Sequence, residues 1–279
     1  RIQGVGYRRV HFYPLIWWCK INEQIITMQL LSEPLSINRL KARNIFIRIM
    51  SSLVLVDIAI TGIYVAVSGR LDVLGSDLLA NLLIFGLLNS LGALYLFSPI
   101  QNLIDGKGSL LAAKDRVNVL PVWAAGWAIT CTIAYCFVGF SIGIFMPSDI
   151  ELSSIPRPVL VGALLWFGFI YALYYGFYIF FAVSDFVNRL KLGLTKDGVL
   201  FSPRGPPLRR KLVCIFVIIA FVPAILIALD LTVFRELRSV QGLSIEQSVF
   251  LDLFASAFLV GVTLIFVTRN FSSSLRGLS

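Results

Sequence analysis

The chain has 279 residues, 58% of them hydrophobic and only 14% charged, with a formal net charge of +9. Soluble domains carry about a quarter charged residues, so this balance excludes a soluble globular domain and indicates an integral membrane protein. Because every backbone polar group in lipid must be satisfied within the protein, long apolar runs of this kind read as an all-α, polytopic fold.

Residues 1–44 are basic and mixed. Arg8-Arg9 precede an apolar patch, Phe12 to Trp18, which Pro14 interrupts and which is too short to span. Trp and Phe beside arginines suit the headgroup level, so the segment reads as an interfacial, amphipathic anchor; the alternative is a specific partner site. Ser32-Glu33-Pro34 predicts a helix start, and Arg39, Lys41 and Arg43 form a basic collar ahead of the first span. An initial Arg1 in place of Met leaves room for upstream sequence.

Six spans follow, at Ile45 to Ser68, Leu78 to Ser98, Val122 to Met146, Val159 to Val183, Leu212 to Phe234 and Ser248 to Thr268. Each reaches the roughly 20 residues that a helix needs to cross a bilayer core. Lys and Arg number eight up to Arg48, three in Gln101 to Pro121, seven in Ser184 to Lys211 and two in the tail, twenty on one side. The alternate loops hold only Arg70, Arg157, Arg235 and Arg238. The positive-inside bias then places both termini in the cytoplasm. It also accounts for the +9 without a nucleic-acid partner.

The outer loops, Gly69 to Asp77, Pro147 to Pro158 and Arg235 to Gln247, are far below the roughly 50 residues of an independent domain. Any stimulus is therefore read by the helices or these loops. The inner connections carry Pro99-Ile100-Gln101 and Leu120-Pro121, then Phe186-Val187-Asn188-Arg189 and Pro203, Pro206 and Pro207, so the chain reads as three hairpins joined by basic, proline-containing links.

Within the spans, small residues recur four apart: Gly86 and Ser90, Gly139 and Gly143, Gly168, Ala172 and Gly176, and Ala257 and Gly261. That spacing puts them on one helix face, where a neighbouring helix can approach closely, within the bundle or in a dimer. The fourth span adds an aromatic run that includes Trp166, Tyr171, Tyr174, Tyr175 and Tyr178. It supports either tight packing with tyrosines bonding across helices or an aromatic-walled groove for a lipid or other apolar ligand.

Asp57 falls near the middle of the first span, where a carboxylate costs about 2.5–3.5 kcal/mol. Hydrogen bonds from Asn81 or Asn89 in the second span, or protonation, are the available compensations. The residue reads either as a functional acid or as a satisfied interhelical bond. Asp230 and Asp252 lie nearer the outer interface, within reach of Arg235 and Arg238, and read as structural. Pro223 predicts a kink in the fifth span by freeing the Ile219 carbonyl, and so a candidate hinge.

Cys19, Cys131, Cys136 and Cys214 sit in or beside apolar segments, and His11 is the single histidine, so no metal or haem ligand set is expected. The sequence has no glycine-rich phosphate loop and no nucleophile with a base, so no catalytic centre and no cofactor are expected in these residues.

The last span runs into Arg269-Asn270-Phe271-Ser272-Ser273-Ser274-Leu275-Arg276-Gly277-Leu278. Together with six spans in three hairpins, Leu120-Pro121, Pro206-Pro207-Leu208-Arg209-Arg210-Lys211 and Phe221-Val222-Pro223, this resembles the membrane region of bacterial six-helix receptors that end in a HAMP linker, best known from class III adenylate cyclases. Related regions precede histidine kinases. Ser274 stands where the HAMP pattern usually has a proline. The resemblance implies a membrane domain over 45–268 and a linker beginning at 269–279, with Arg269, Phe271, Leu275 and Leu278 carrying the output. It further implies a parallel homodimer relaying a membrane or lipid signal to a cytoplasmic domain that makes cyclic AMP. The rival reading is a self-contained lipid-binding or transport module, or an accessory subunit of a membrane complex.

Overall fold

The structure, a computed structural model, describes residues 39–69, 71, 74–104, 110–141, 157–196, 223–229, 231–232 and 244–276. The protein is an all-α, polytopic chain. Five of its described helical stretches are long and apolar enough to cross a bilayer: Lys41–Ser68, Leu74–Asn102, Ala113–Gly139, Leu165–Gly193 and Ile245–Ile265. The predicted fifth span, Leu212 to Phe234, lies mostly outside the described residues; 223–229 and 231–232 of it are helical. The interfacial segment up to residue 38, the Pro206 to Lys211 motif, Arg70, Asp230, Arg235, Arg238, Cys19, Cys214, Gly143 and Leu278 also lie outside them.

The first span is two helices, α1 (Arg39–Ser51) and α2 (Leu53–Ser68). The break has a local cause. Ser52 Oγ donates to the Ile49 carbonyl at 2.6 Å, and its backbone N–H goes to the same carbonyl at 3.3 Å, so the serine competes with the helical ladder. At the far end, Gly69 closes α2 in the left-handed conformation (φ 71°), its N–H returning to the Val65 carbonyl at 2.8 Å. A side chain there would be strained.

The second span is α3 (Leu74–Asn81), a π-helical stretch over Leu82–Leu88, and α4 (Asn89–Ile104). The third and fourth lie in α5 (Leu110–Ser141) and α6 (Arg157–Lys196), and the last in α7 (Ile245–Arg276). A reciprocal capping box starts α7. The Ser244 N–H donates to Gln247 Oε1 at 2.9 Å, and the Gln247 N–H to Ser244 Oγ at 3.2 Å.

The helices are longer than the sequence reading has them. α1 begins at Arg39, so the basic collar is already helical. Pro99-Ile100-Gln101 lies inside α4, Leu120-Pro121 inside α5 and Phe186 to Arg189 inside α6, not in links. A proline lacks one amide, and packed neighbours can hold the helix through it. The outer ends extend too: α3 starts at Leu74, which puts Asp77 in a helix and out of the predicted loop.

Cross-helix contacts set the first span antiparallel to both the second and the fourth. Asp57 meets Asn81 while Met50 meets Asn89, and Ser52 meets Tyr178 while Asp57 meets Tyr175. Lys191 Nζ reaches Asn118 Oδ1 at 2.7 Å where α6 and α5 come together at their basic ends. α7 lies against α6 and α2. One end of the core is an aromatic cluster, Phe46, Phe97 and Phe186, with ring centroids 5.4 to 6.1 Å apart. Leu83, Leu87, Leu91, Leu94 and Tyr95 of the second span point outward, the apolar face a bilayer would solvate.

Candidate functional site

Above the Phe46 cluster the bundle holds two polar layers. The nearer one is neutral and surrounds the break at Ser52. Ser51 Oγ and Ser90 Oγ are 2.8 Å apart, Ser52 Oγ and Tyr178 OH 2.7 Å, and Asn89 Nδ2 donates to the Met50 carbonyl at 3.0 Å. At the break the Met50 carbonyl is thus met from the second span, while Tyr178 of the fourth holds the Ser52 hydroxyl. One acceptor, Asn89 Oδ1, is left over.

The second layer, one to two helical turns further along, contains two carboxylates. Asn81 Nδ2 donates to Asp57 Oδ2 at 2.5 Å, and the Tyr175 phenol donates to Asp57 Oδ1 at 2.6 Å. The Tyr135 phenol donates to Asp77 Oδ1. Asp57, Asp77 and Asn81 are all buried. Phe85 lies between the layers, 5.0 Å from Tyr135 and 5.5 Å from Tyr175 by ring centroid, and closes the carboxylate layer on that side.

Magnitudes separate the two acids. Hydrogen bonds to a charged group contribute about 1.5–3 kcal/mol each, so two donors match the about 2.5–3.5 kcal/mol cost of placing Asp57 in the membrane. Asp77 accepts from the Tyr135 phenol, and its Oδ2 is unmatched. No Lys or Arg occurs in α2, α3 or the π stretch to neutralise either.

The π stretch is what lets one helix serve both layers. Asn81 and Asn89 flank it, and the Asn89 N–H bonds back to the Ile84 carbonyl, five residues earlier. Eight residues of plain α-helix would leave the two asparagines about 80° apart. The wider turn takes up one residue, and both reach the first span. Single π turns of this kind recur at functional sites.

Of the residues singled out in the sequence, Asp57, Asn81 and Tyr178 line these layers. Asn89 donates to the backbone of Met50, not to Asp57. Tyr171 packs against Phe167 and Tyr175, and Trp166 points outward at 58% exposure, paired edge-on with Phe169. Tyr174 faces away from Asp57 and Asp77, toward Ser256 and Asp252 of α7, and Asp252 is buried between helices. Gly168, Ala172 and Gly176 lie on the α5-facing side of α6, with Gly168 against Cys136 and Gly176 against Ile129 and the Ala125 carbonyl. Ala257 and Gly261 are exposed, with open space around Gly261. Pro223 opens the helical residues 223–229, and Ile219 lies outside the described chain. Arg269, Phe271 and Leu275 continue α7, their side chains outside the described set. Cys131 and Cys136 are free thiols, and among the described residues no group of three His, Cys, Asp or Glu could hold a metal.

Asp77, Tyr135 and Tyr175 are missing from the residues singled out as ligands. The signal for Asp77 was present: Asp77 and Asn81 are four apart, hence on one helix face, once the helix is allowed to start before Leu78.

Comparison with protein families, curated proteins and solved structures found no match for this chain.

Proposed function

We propose that this protein is the membrane-embedded, signal-receiving domain of a bacterial class III adenylate cyclase, acting as a parallel homodimer in the cytoplasmic membrane. The observation that carries the reading is α7. It is one unbroken helix from Ile245 to Arg276, running some ten residues past its apolar stretch, and it rests on α2 and α6, two helices that build the carboxylate layer. A rearrangement in that layer has a mechanical route into α7, and a continuous helix transmits rotation or translation to whatever follows Ser279. Ala257 and Gly261, on a side of α7 that the other described helices leave open, give a second copy a surface for close approach. The outer loops are too short for a separate sensor, so a lipid or other membrane-dissolved stimulus is the matching input.

The test is the sequence encoded after Ser279, with cyclic AMP formation by membranes containing the full product. A class III catalytic domain and cyclase activity that responds to lipid composition are expected. A different output domain, such as a histidine kinase, or a protein that ends at Ser279, overturns the reading.

A second reading, a self-contained transport or accessory module, draws on the buried carboxylates, since intramembrane acids mark ion pathways in pumps and transporters. Flux across proteoliposomes that contain only these 279 residues would favour it over the first.

A further inference from the structure

The carboxylate layer has more acceptors than donors. Asp57 and Asp77 bring four oxygens and Asn81 a fifth, and the donors that reach them are the Asn81 amide and the phenols of Tyr175 and Tyr135. Both oxygens of Asp57 are matched. The atoms left over are Asp77 Oδ2 and Asn81 Oδ1, on side chains 2% and 0% exposed. Both are acceptors, and their residues lie one turn apart on the same face of α3. The asparagine is not an acid, so its unpartnered carbonyl points independently to a missing positive partner.

We infer that Asp57 and Asp77 together bind one proton, which supplies the donor that Asp77 Oδ2 and Asn81 Oδ1 lack, so that the layer carries a single negative charge. The inference survives the ambiguity of amide orientation. Turned over, Asn81 would present its carbonyl to Asp57 and its amide to Asp77, and the proton would be needed on Asp57 instead. Either way the network closes with one proton and fails with none.

The groups facing the pair are consistent with a proton as the sole positive ligand. α5 contributes Tyr135 and the Cys136 thiol, and α6 contributes Tyr175 with Tyr171 behind it. Asp252 of α7 faces Tyr174, on the side of α6 turned away from the pair. α2, α3 and the π stretch contain no lysine, arginine or histidine. Asp77 is three residues into α3 while Phe85 covers the opposite side, so exchange runs from the α3 start. With the proton bound, the first four spans are tied together; its loss sets two like charges side by side in an apolar interior. This holds whatever α7 drives.

The test is infrared spectroscopy of the purified protein in lipid nanodiscs, with aspartate carbon-labelled at the side-chain carboxyl. At neutral pH the wild-type protein should show a protonated-carboxyl C=O band of one residue that shifts with the label and disappears at alkaline pH. Asp77→Asn and Asp57→Asn should each remove it, Asp252→Asn should retain it, and the wild-type thermal midpoint should fall as the band is lost while that of Asp77→Asn stays level. The labelled wild-type titration stands even if a variant does not fold. Absence of the band at neutral pH, its persistence in both site variants, or its loss on adding sodium or potassium at constant pH overturns the inference, the last by showing a metal cation in place of the proton.

Discussion

The two polar layers are built on the same helices, yet they solve different problems. Around Ser52 every participant is neutral, and hydroxyls that both donate and accept can rotate to meet whichever partner is available. Around Asp57 the acceptors are carboxylates, which cannot turn into donors while ionised. The first layer repairs a broken backbone ladder and tolerates adjustment. The second changes its balance of donors and acceptors only by gaining or losing a proton, so its stability depends on how many donors surround it.

That contrast predicts a graded series of stability changes, read as thermal unfolding in detergent. Asp57→Leu should be the most damaging, about 3 kcal/mol or more, because it strands the Asn81 amide and the Tyr175 phenol without acceptors, each at about 1–3 kcal/mol. Gly176→Val comes next. An added Cβ would stand 2.6 Å from Ile129 Cγ1 and 3.5 Å from the Ala125 carbonyl, so the Ile129 side chain or α6 must give way, at about 1–3 kcal/mol. Because Tyr175 and Tyr178 flank this glycine, a shift of α6 should loosen both layers at once.

The most direct comparison is Tyr175→Phe against Tyr178→Phe. Removing a donor from a carboxylate should cost about 2 kcal/mol, whereas removing the Ser52 partner should cost about 1 kcal/mol or less, since Ser52 Oγ keeps its bond to Ile49. Equal costs would erase the distinction between the layers. Gly261→Ala should be the mildest, within about 0.5 kcal/mol for the monomer, because nothing lies within 4 Å of the new methyl group. If it disrupts self-association instead, cross-linking will show that this face meets another copy.

Much of this was legible because apolar length and charge counting act on whole segments. Five of the spans emerge that way, as does Asp57 as the residue demanding compensation. Helix ends were less legible. Pro99, Pro121 and the polar run after Val183 look like terminators in sequence, and only contacts between neighbouring helices, such as Lys191 with Asn118, carry the helices past them. The capping box at Ser244 and Gln247 was readable as Ser-x-x-Gln, yet the length needed to cross a bilayer set the predicted start at Ser248. The π turn has no compositional signature at all. It exists because Asn81 and Asn89 both have partners on the first span, a fact that belongs to the assembled bundle.

The π turn also inverts the usual expectation for changes in chain length. A transmembrane helix normally tolerates substitution better than deletion, because losing one residue rotates everything beyond it. Here the second span already carries one residue more than a plain helix needs between its two asparagines. Shortening the Leu82–Leu88 stretch by one would set them seven apart, back on a common face to within about 20° of ordinary α-helix. Lengthening it by one would turn Asn89 away from Met50. Natural or engineered variants of this protein should therefore accept a deletion here far more readily than an insertion.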